Sequence, residues 1–200
     1  LRVWRHDPAD PASLPSNTLE TLLVDPLDRV WVGSNGGGLS MLGSDRDDFR
    51  HFPALGEACT EQVWALAYTQ QSLWVGSSGS GLCLLHEDGR VERHVANEAD
   101  PHALPSDIIY SLLVDAQQRL WIGTAAGLVR WDGQRFERIA ADTLGDANVL
   151  RLSRGQDGGV CAGTVEGLYR VDAQGRAQPA PWPQAAQARA GMVLADRHGG

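Results

Sequence analysis

Short apolar runs, not long amphipathic ones, organise this chain. LLV at 22–24, VWVG at 30–33, SLLV at 111–114 and LWIG at 120–123 are rich in Leu, Val, Ile and Trp. Gly, Asp, Gln and Ser bound them, the pattern of strands between tight turns. No apolar spacing of three and four is sustained over roughly 11 residues, so the pattern predicts no long helix. Several runs are apolar on consecutive residues rather than alternating, as in strands whose sheet is covered on both faces.

The runs recur. LLVDPLDRVWVG spans 22–33 and LLVDAQQRLWIG spans 112–123. LAYTQQSLWVG at 66–76 is one residue shorter, and LSRGQDGGVCAG at 152–163 puts Cys161 where the others have Trp. VLADRHGG at 193–200 repeats the opening of the run. The anchors Trp31, Trp74, Trp121 and Cys161 are 43, 47 and 40 residues apart. That period suits a propeller blade of four short strands. In the third unit the strands fall at 108–115, 119–124, 127–132 and 136–140, with an Asp-Gly turn signal between the last two. The predicted fold is all-β, an antiparallel β-propeller fragment. Residues 18–62, 63–107, 108–148 and 149–189 are blades, 1–17 end a preceding blade, and 190–200 begin another. Leu1 in place of Met, and a repeat that stops at Gly200, predict a piece of a longer protein.

WVGSNGGGL at 31–39 poses a choice between a phosphate-binding loop and a turn. It returns as WVGSSGSGL at 74–82, WIGTAAGL at 121–128 and CAGTVEGL at 161–168. The middle glycines are lost, while Gly38, Gly81, Gly127 and Gly167 stay in front of Leu. One position that always keeps Gly predicts a hairpin residue with positive φ. A phosphate loop also needs a helix behind it, and LSMLGS is too short and strand-like. Gly33, Gly76, Gly123 and Gly163 follow the anchor by two, so each shares its face of the strand. A flat indole there fills the gap between twisted sheets, and the glycine leaves room for the neighbouring chain.

Charge and composition narrow the functions. With 200 residues, 42% of them apolar, the chain can bury a core. A net charge of −8 with no basic run argues against nucleic acid. No apolar run reaches the roughly 18–20 residues that cross a bilayer. The three cysteines, Cys59, Cys83 and Cys161, have no zinc-like spacing. One disulfide is possible and would leave one thiol over, with the pairing left open; small buried side chains are favoured over a redox role. None of the six histidines pairs with another at i, i+2 or i, i+4. SDRDDF at 44–49 begins like a calcium loop at Asp45 and Asp47, but Phe49 takes a ligand position. No G-x-S-x-G supports a nucleophile. No catalytic residue, metal or cofactor is assigned.

LPSNTLETLLVDPLDRVWVGSNGGGLSML at 14–42 and LPSDIIYSLLVDAQQRLWIGTAAGLVRWDG at 104–133 resemble the two-component regulator propeller repeat, as do the linkers HDPADPASLPSN at 6–17 and NEADPHALPSD at 97–107. The resemblance implies seven-bladed propellers, commonly in tandem. These form the periplasmic sensor region of bacterial inner-membrane proteins that end in a histidine kinase or diguanylate cyclase. It implies a carbohydrate or other small ligand, self-association or dimerisation of the parent receptor, and membrane contact only through that parent. The alternatives are a protein–protein scaffold and a propeller lyase or glycosidase. Two departures stand out. Asp28 and Gln118 occupy a turn position where the family often has Gly, as at Gly158 and Gly199, and units two and four lack the Asp that ends the first strand. A ligand is expected at the mouth where the loops between blades converge, beside Asn17, Asp107, Asn148 and Arg189. The competing reading makes these plain turn residues. Trp64 and Tyr110, near the start of first strands, either stack on a sugar ring or join the core.

Overall fold

The computed structural model describes residues 2–45, 48–55, 59, 62–70, 72–155 and 158–180; Arg189 and the run 190–200 lie outside them. Four antiparallel sheets follow one another, each with four strands in sequence order. The first contains β1 (Leu19–Val24), β2 (Val30–Ser34), β3 (Gly38–Leu42) and β4 (Phe49–His51). The second contains β5 (Val63–Thr69), β6 (Ser72–Ser77), β7 (Leu82–His86) and β8 (Val91–His94). In the third lie β9 (Ile109–Val114), β10 (Leu120–Thr124), β11 (Gly127–Trp131) and β12 (Phe136–Ile139). The fourth has β13 (Val149–Arg154), β14 (Val160–Thr164), β15 (Leu168–Val171) and β16 (Ala177–Pro179). The strands of the third sheet fall within a residue of their predicted ends. A short helix, α1 (Ala141–Leu144), and a 3-10 turn at Pro53–Leu55 sit in the loops between sheets.

The sheets form an arc of a β-propeller. First strands lie beside first strands, β1 by β5, β5 by β9 and β9 by β13, so they line the inside. The glycine two residues after each anchor explains how closely the sheets approach. A Cβ on Gly33 would lie 2.6 Å from the Val63 side chain, one on Gly76 2.6 Å from Ile109, and one on Gly123 2.5 Å from the Val149 carbonyl oxygen. Each glycine therefore receives the opening residue of the next sheet. The anchor indole fills the rest of the seam. Trp31 packs with Val63, Leu66 and Val75; Trp74 with Ile109, Leu120 and Ile122; Trp121 with Val149, Val160 and Ala162. Burying such a ring removes about 150–250 Å² from water, worth about 4–6 kcal/mol as an upper estimate.

Gly38, Gly81, Gly127 and Gly167 all take positive φ, at 65°, 84°, 104° and 152°. The hairpin reading of the glycine loop thus holds. Each loop that leads into a sheet also carries one buried leucine: Leu14, Leu55, Leu104 and Leu144. The outer side of the first sheet is open. Leu19 is 42% exposed, whereas its equivalents Val63 and Ile109 are 1% and 0% exposed.

The structure answers a point the sequence left open. Cys59 and Cys83 form a disulfide, with Cα atoms 6.1 Å apart. It ties the loop before the second sheet to β7. Cys161, the remaining cysteine, is partly exposed on β14.

Candidate functional site

The inner rim of the arc is built from an irregularity repeated four times. Pairing between the first and second strands slips by one residue between Leu19 and Thr21, Val63 and Ala65, Ile109 and Ser111, and Val149 and Arg151. The extra residue at each bulge escapes the ladder. These four residues are Glu20, Trp64, Tyr110 and Leu150. Glu20 is exposed and the other three are half-buried. Trp64 and Tyr110 stack on each other across the seam between the second and third sheets, with ring centres 5.6 Å apart and planes 14° apart. They are neither free platforms nor core residues. Beside them the Arg151 guanidinium donates to the carbonyls of Tyr110 and Leu150. The Leu152 amide donates to Ser111 Oγ at 3.1 Å, tying the inner strands of the third and fourth sheets.

Three of the four predicted ligand residues, Asn17, Asp107 and Asn148, lie at this edge and are engaged in the loops. Asn17 Oδ1 accepts the His6 amide at 2.9 Å, and Asp107 Oδ1 accepts the Ala96 amide at 2.7 Å. These two bonds are equivalent. Each closes an arch, 6–17 or 96–107, that crosses the sheet it leads into. The arch then meets the fourth strand of that sheet, through Phe49 N to Ala12 O in one case and Phe136 N to His102 O in the other. The Asp107 carbonyl also accepts from Gly79 N and Gly81 N. Asn148 is half-buried, and its carbonyl accepts from Val165 N at 3.3 Å. The structure brings Asn17, Asp107 and Asn148 to one edge but on separate loops. Arg189 lies outside the described residues. On the same edge an apolar cleft of about 310 Å³ opens between the first two sheets, beside Gly37, Phe52 and Cys59. A polar cleft of about 530 Å³ lies behind the 2–14 arch, away from the rim.

The opposite edge carries a unit the sequence reading split into parts. Asp25 Oδ2 accepts from Arg29 Nε at 2.5 Å and from the Trp31 indole at 2.8 Å, while Oδ1 accepts the Leu27 and Arg29 amides. Asp115 does the same for Arg119, Trp121 and Gln117. Each guanidinium lies over its own indole, at 5.4 Å for Arg29 and 5.7 Å for Arg119. Each also reaches the next sheet, Arg29 to the Tyr68 hydroxyl and Arg119 to the Ala173 carbonyl. Burial pushes both carboxyls up. The bonds from indole, guanidinium and amides outweigh it, and hold Asp25 and Asp115 below the usual carboxylate value. In the second sheet Thr69 Oγ1 takes the Trp74 indole at 2.8 Å. The signal for this unit was present in the sequence: Asp, Arg and Trp occur together at 25, 29 and 31 and again at 115, 119 and 121. Among the described residues, no three His, Cys, Asp or Glu are grouped to hold a metal ion.

A family model described as Two component regulator propeller matches residues 103–126, the span from the end of the second arch through β10. The chain carries that repeat. It resembles the extracellular domain assigned to a hybrid two-component system of B. thetaiotaomicron, with a TM-score of 0.75 and 20% identity over 92% of this chain and 24% of that one. A streptogramin B lyase gives a TM-score of 0.67 and 15% identity over 91% of this chain and 58% of the lyase. Virginiamycin B lyase from Staphylococcus aureus gives 0.66 and 12% over 88% and 60%. At these identities the likeness is one of fold. The chain spans about a quarter of the first neighbour and under two thirds of each lyase. No curated protein matches it. No helix among the described residues is long and apolar enough to cross a membrane.

Proposed function

We propose that this chain is a segment of the periplasmic, ligand-sensing propeller of a bacterial transmembrane signalling receptor, of the histidine kinase or diguanylate cyclase type. The observation that carries the reading is the regulator-propeller repeat at residues 103–126, seated on a sheet whose fold matches an extracellular two-component domain. The Cys59–Cys83 disulfide supports an oxidising compartment. The segment itself is non-catalytic, and the lyases share its architecture only.

In this reading a carbohydrate or other small ligand meets the inner rim at Glu20, Trp64, Tyr110 and Leu150, with Asn17, Asp107 and Asn148 at the loop edge. Because Trp64 and Tyr110 come from neighbouring sheets, a ring that displaces or extends their stack changes the seam between those sheets. The parent receptor passes that change, or a change in dimer contacts, through the membrane. The complete open reading frame tests the proposal. A membrane-spanning helix followed by a kinase or cyclase domain is the expected result, and a reading frame with neither overturns it.

A further inference from the structure

His94, the last residue of β8, sits in a seam rather than on a surface. Its ring contacts Trp74 of its own sheet at 5.8 Å between centres, and Trp131 and Phe136 of the next sheet at 5.5 and 5.2 Å. The Phe136 contact is edge-to-face, at 77°. Its Nε2 is buried and has no hydrogen-bond partner among the described residues. A neutral imidazole fits this enclosure. An imidazolium there would bring a second N–H and a charge into a place with no acceptor.

The loop 96–107 brings Glu98, His102 and Asp100, whose Oδ1 accepts the His102 amide, to this seam, and the charged side chains on the flanking strands are engaged elsewhere. Glu92, on the same strand, bonds His86. Arg93 donates to the Ser80 carbonyl, and Asp107 accepts the Ala96 amide. On the facing sheet Arg130 pairs with Glu137, Arg135 with Asp132, and Arg138 with Asp146. Glu92 favours the charged ring, but burial outweighs it and lowers the His94 pKa from its ordinary value. The molecule holds an internal control. Trp4 occupies the place in the first arch that His94 occupies before the second, and it packs against the cluster of Leu14, Val32, Leu42 and Phe49. This place in the arch therefore accepts an aromatic ring that cannot titrate.

We propose that His94 is a proton-operated wedge: neutral, it seals the seam between the second and third sheets, and protonated, it loosens that seam. The device does not depend on the sensor reading above. The sign follows from linkage. The unfolded chain takes up the proton first, so stability is full above the unfolded histidine value and falls as pH drops from there toward the folded value. The test is an NMR titration of the His94 ring in the native 200-residue chain, with urea unfolding of wild type and His94→Phe between pH 7.5 and 5. The expected result is a His94 midpoint below that of the urea-unfolded chain. The wild-type unfolding constant should also rise about threefold or more relative to His94→Phe over that range. A midpoint at or above the unfolded value, as cation–π attraction would give, overturns the proposal. So do superimposable pH profiles. If His94→Phe fails to fold, His94→Trp, which copies Trp4, replaces it, and the wild-type titration stands by itself.

Discussion

The third and fourth sheets have the same strand order, the same register between their first two strands and the same bulge, yet they are held differently. The third has Asp115, Arg119 and Trp121; the fourth has Gly155, Gly159 and Cys161 at those positions. The turn survives the loss. Gly155 N still donates to Gly159 O at 2.9 Å, as Asp115 N does to Arg119 O at 3.0 Å. Backbone pairing alone thus makes the hairpin. The carboxylate, guanidinium and indole act one level up, on how a sheet meets its successor, and they disappear from the fourth sheet together. The second sheet is intermediate, with its indole satisfied by Thr69 and its incoming loop pinned by a disulfide.

Substituting Trp121→Cys, which gives the third sheet the anchor of the fourth, should have the largest effect. The ring is fully buried, so a loss of about 3–4 kcal/mol is expected in urea unfolding. A loss below about 1 kcal/mol would mean that the seam does not rest on the indole. Asp115→Ala should come next, at about 2–3 kcal/mol, because it strands the Trp121 N–H and leaves Arg119 without its carboxylate. The same carboxylates set the acid limit. Since Asp25 and Asp115 are held below 3.8, their contribution is complete above that pH and is lost as pH falls through their folded values. Wild type should therefore unfold more steeply with acid below about pH 4 than Asp115→Ala does.

A gain is expected in the opposite direction. Gln118 is held at a φ of 61° where the fourth sheet has Gly158 at 78°. Gln118→Gly removes a left-handed strain of about 1–2 kcal/mol and adds a glycine entropy cost of about 0.5–1. Thermal unfolding should show a net stabilisation of about 0.5–1 kcal/mol. The smallest effect on stability belongs to Leu22→Lys on the open side of the first sheet. Leu22 is 62% exposed against 8% for its equivalent Leu66, so less than about 0.5 kcal/mol should change. Sedimentation velocity should instead show wild type self-associating through the uncovered apolar face and Leu22→Lys doing so less.

The repeat made most of this architecture legible. Trp31, Trp74 and Trp121, with the glycines two residues on, announce sheets that stack side by side, because only a bulky ring beside a missing Cβ suits that packing. The turn strain at Asp28 and Gln118 was also readable, as a place where glycine would be easier. The disulfide was not. Cys59 and Cys83 are 24 residues apart, one in a loop and one on β7, and nothing in that spacing pairs them. Nor was the role of Asn17 and Asp107 readable in full. Their place at the loop edge follows from the register, but the amides they accept lie 11 residues back, across an arch with no strand or helix signature. Trp64 and Tyr110 eluded a choice between surface and interior, since the bulge that frees them from the ladder leaves no mark in local composition.

That bulge also bears on how the inner rim can vary. Glu20, Trp64, Tyr110 and Leu150 are an acid, an indole, a phenol and an aliphatic in four equivalent sockets, and the surrounding scaffold is the same for all four. A residue that sits beside the hydrogen-bond ladder rather than in it can change without breaking that ladder, so the lumen's chemistry is set separately from the pairing of its strands.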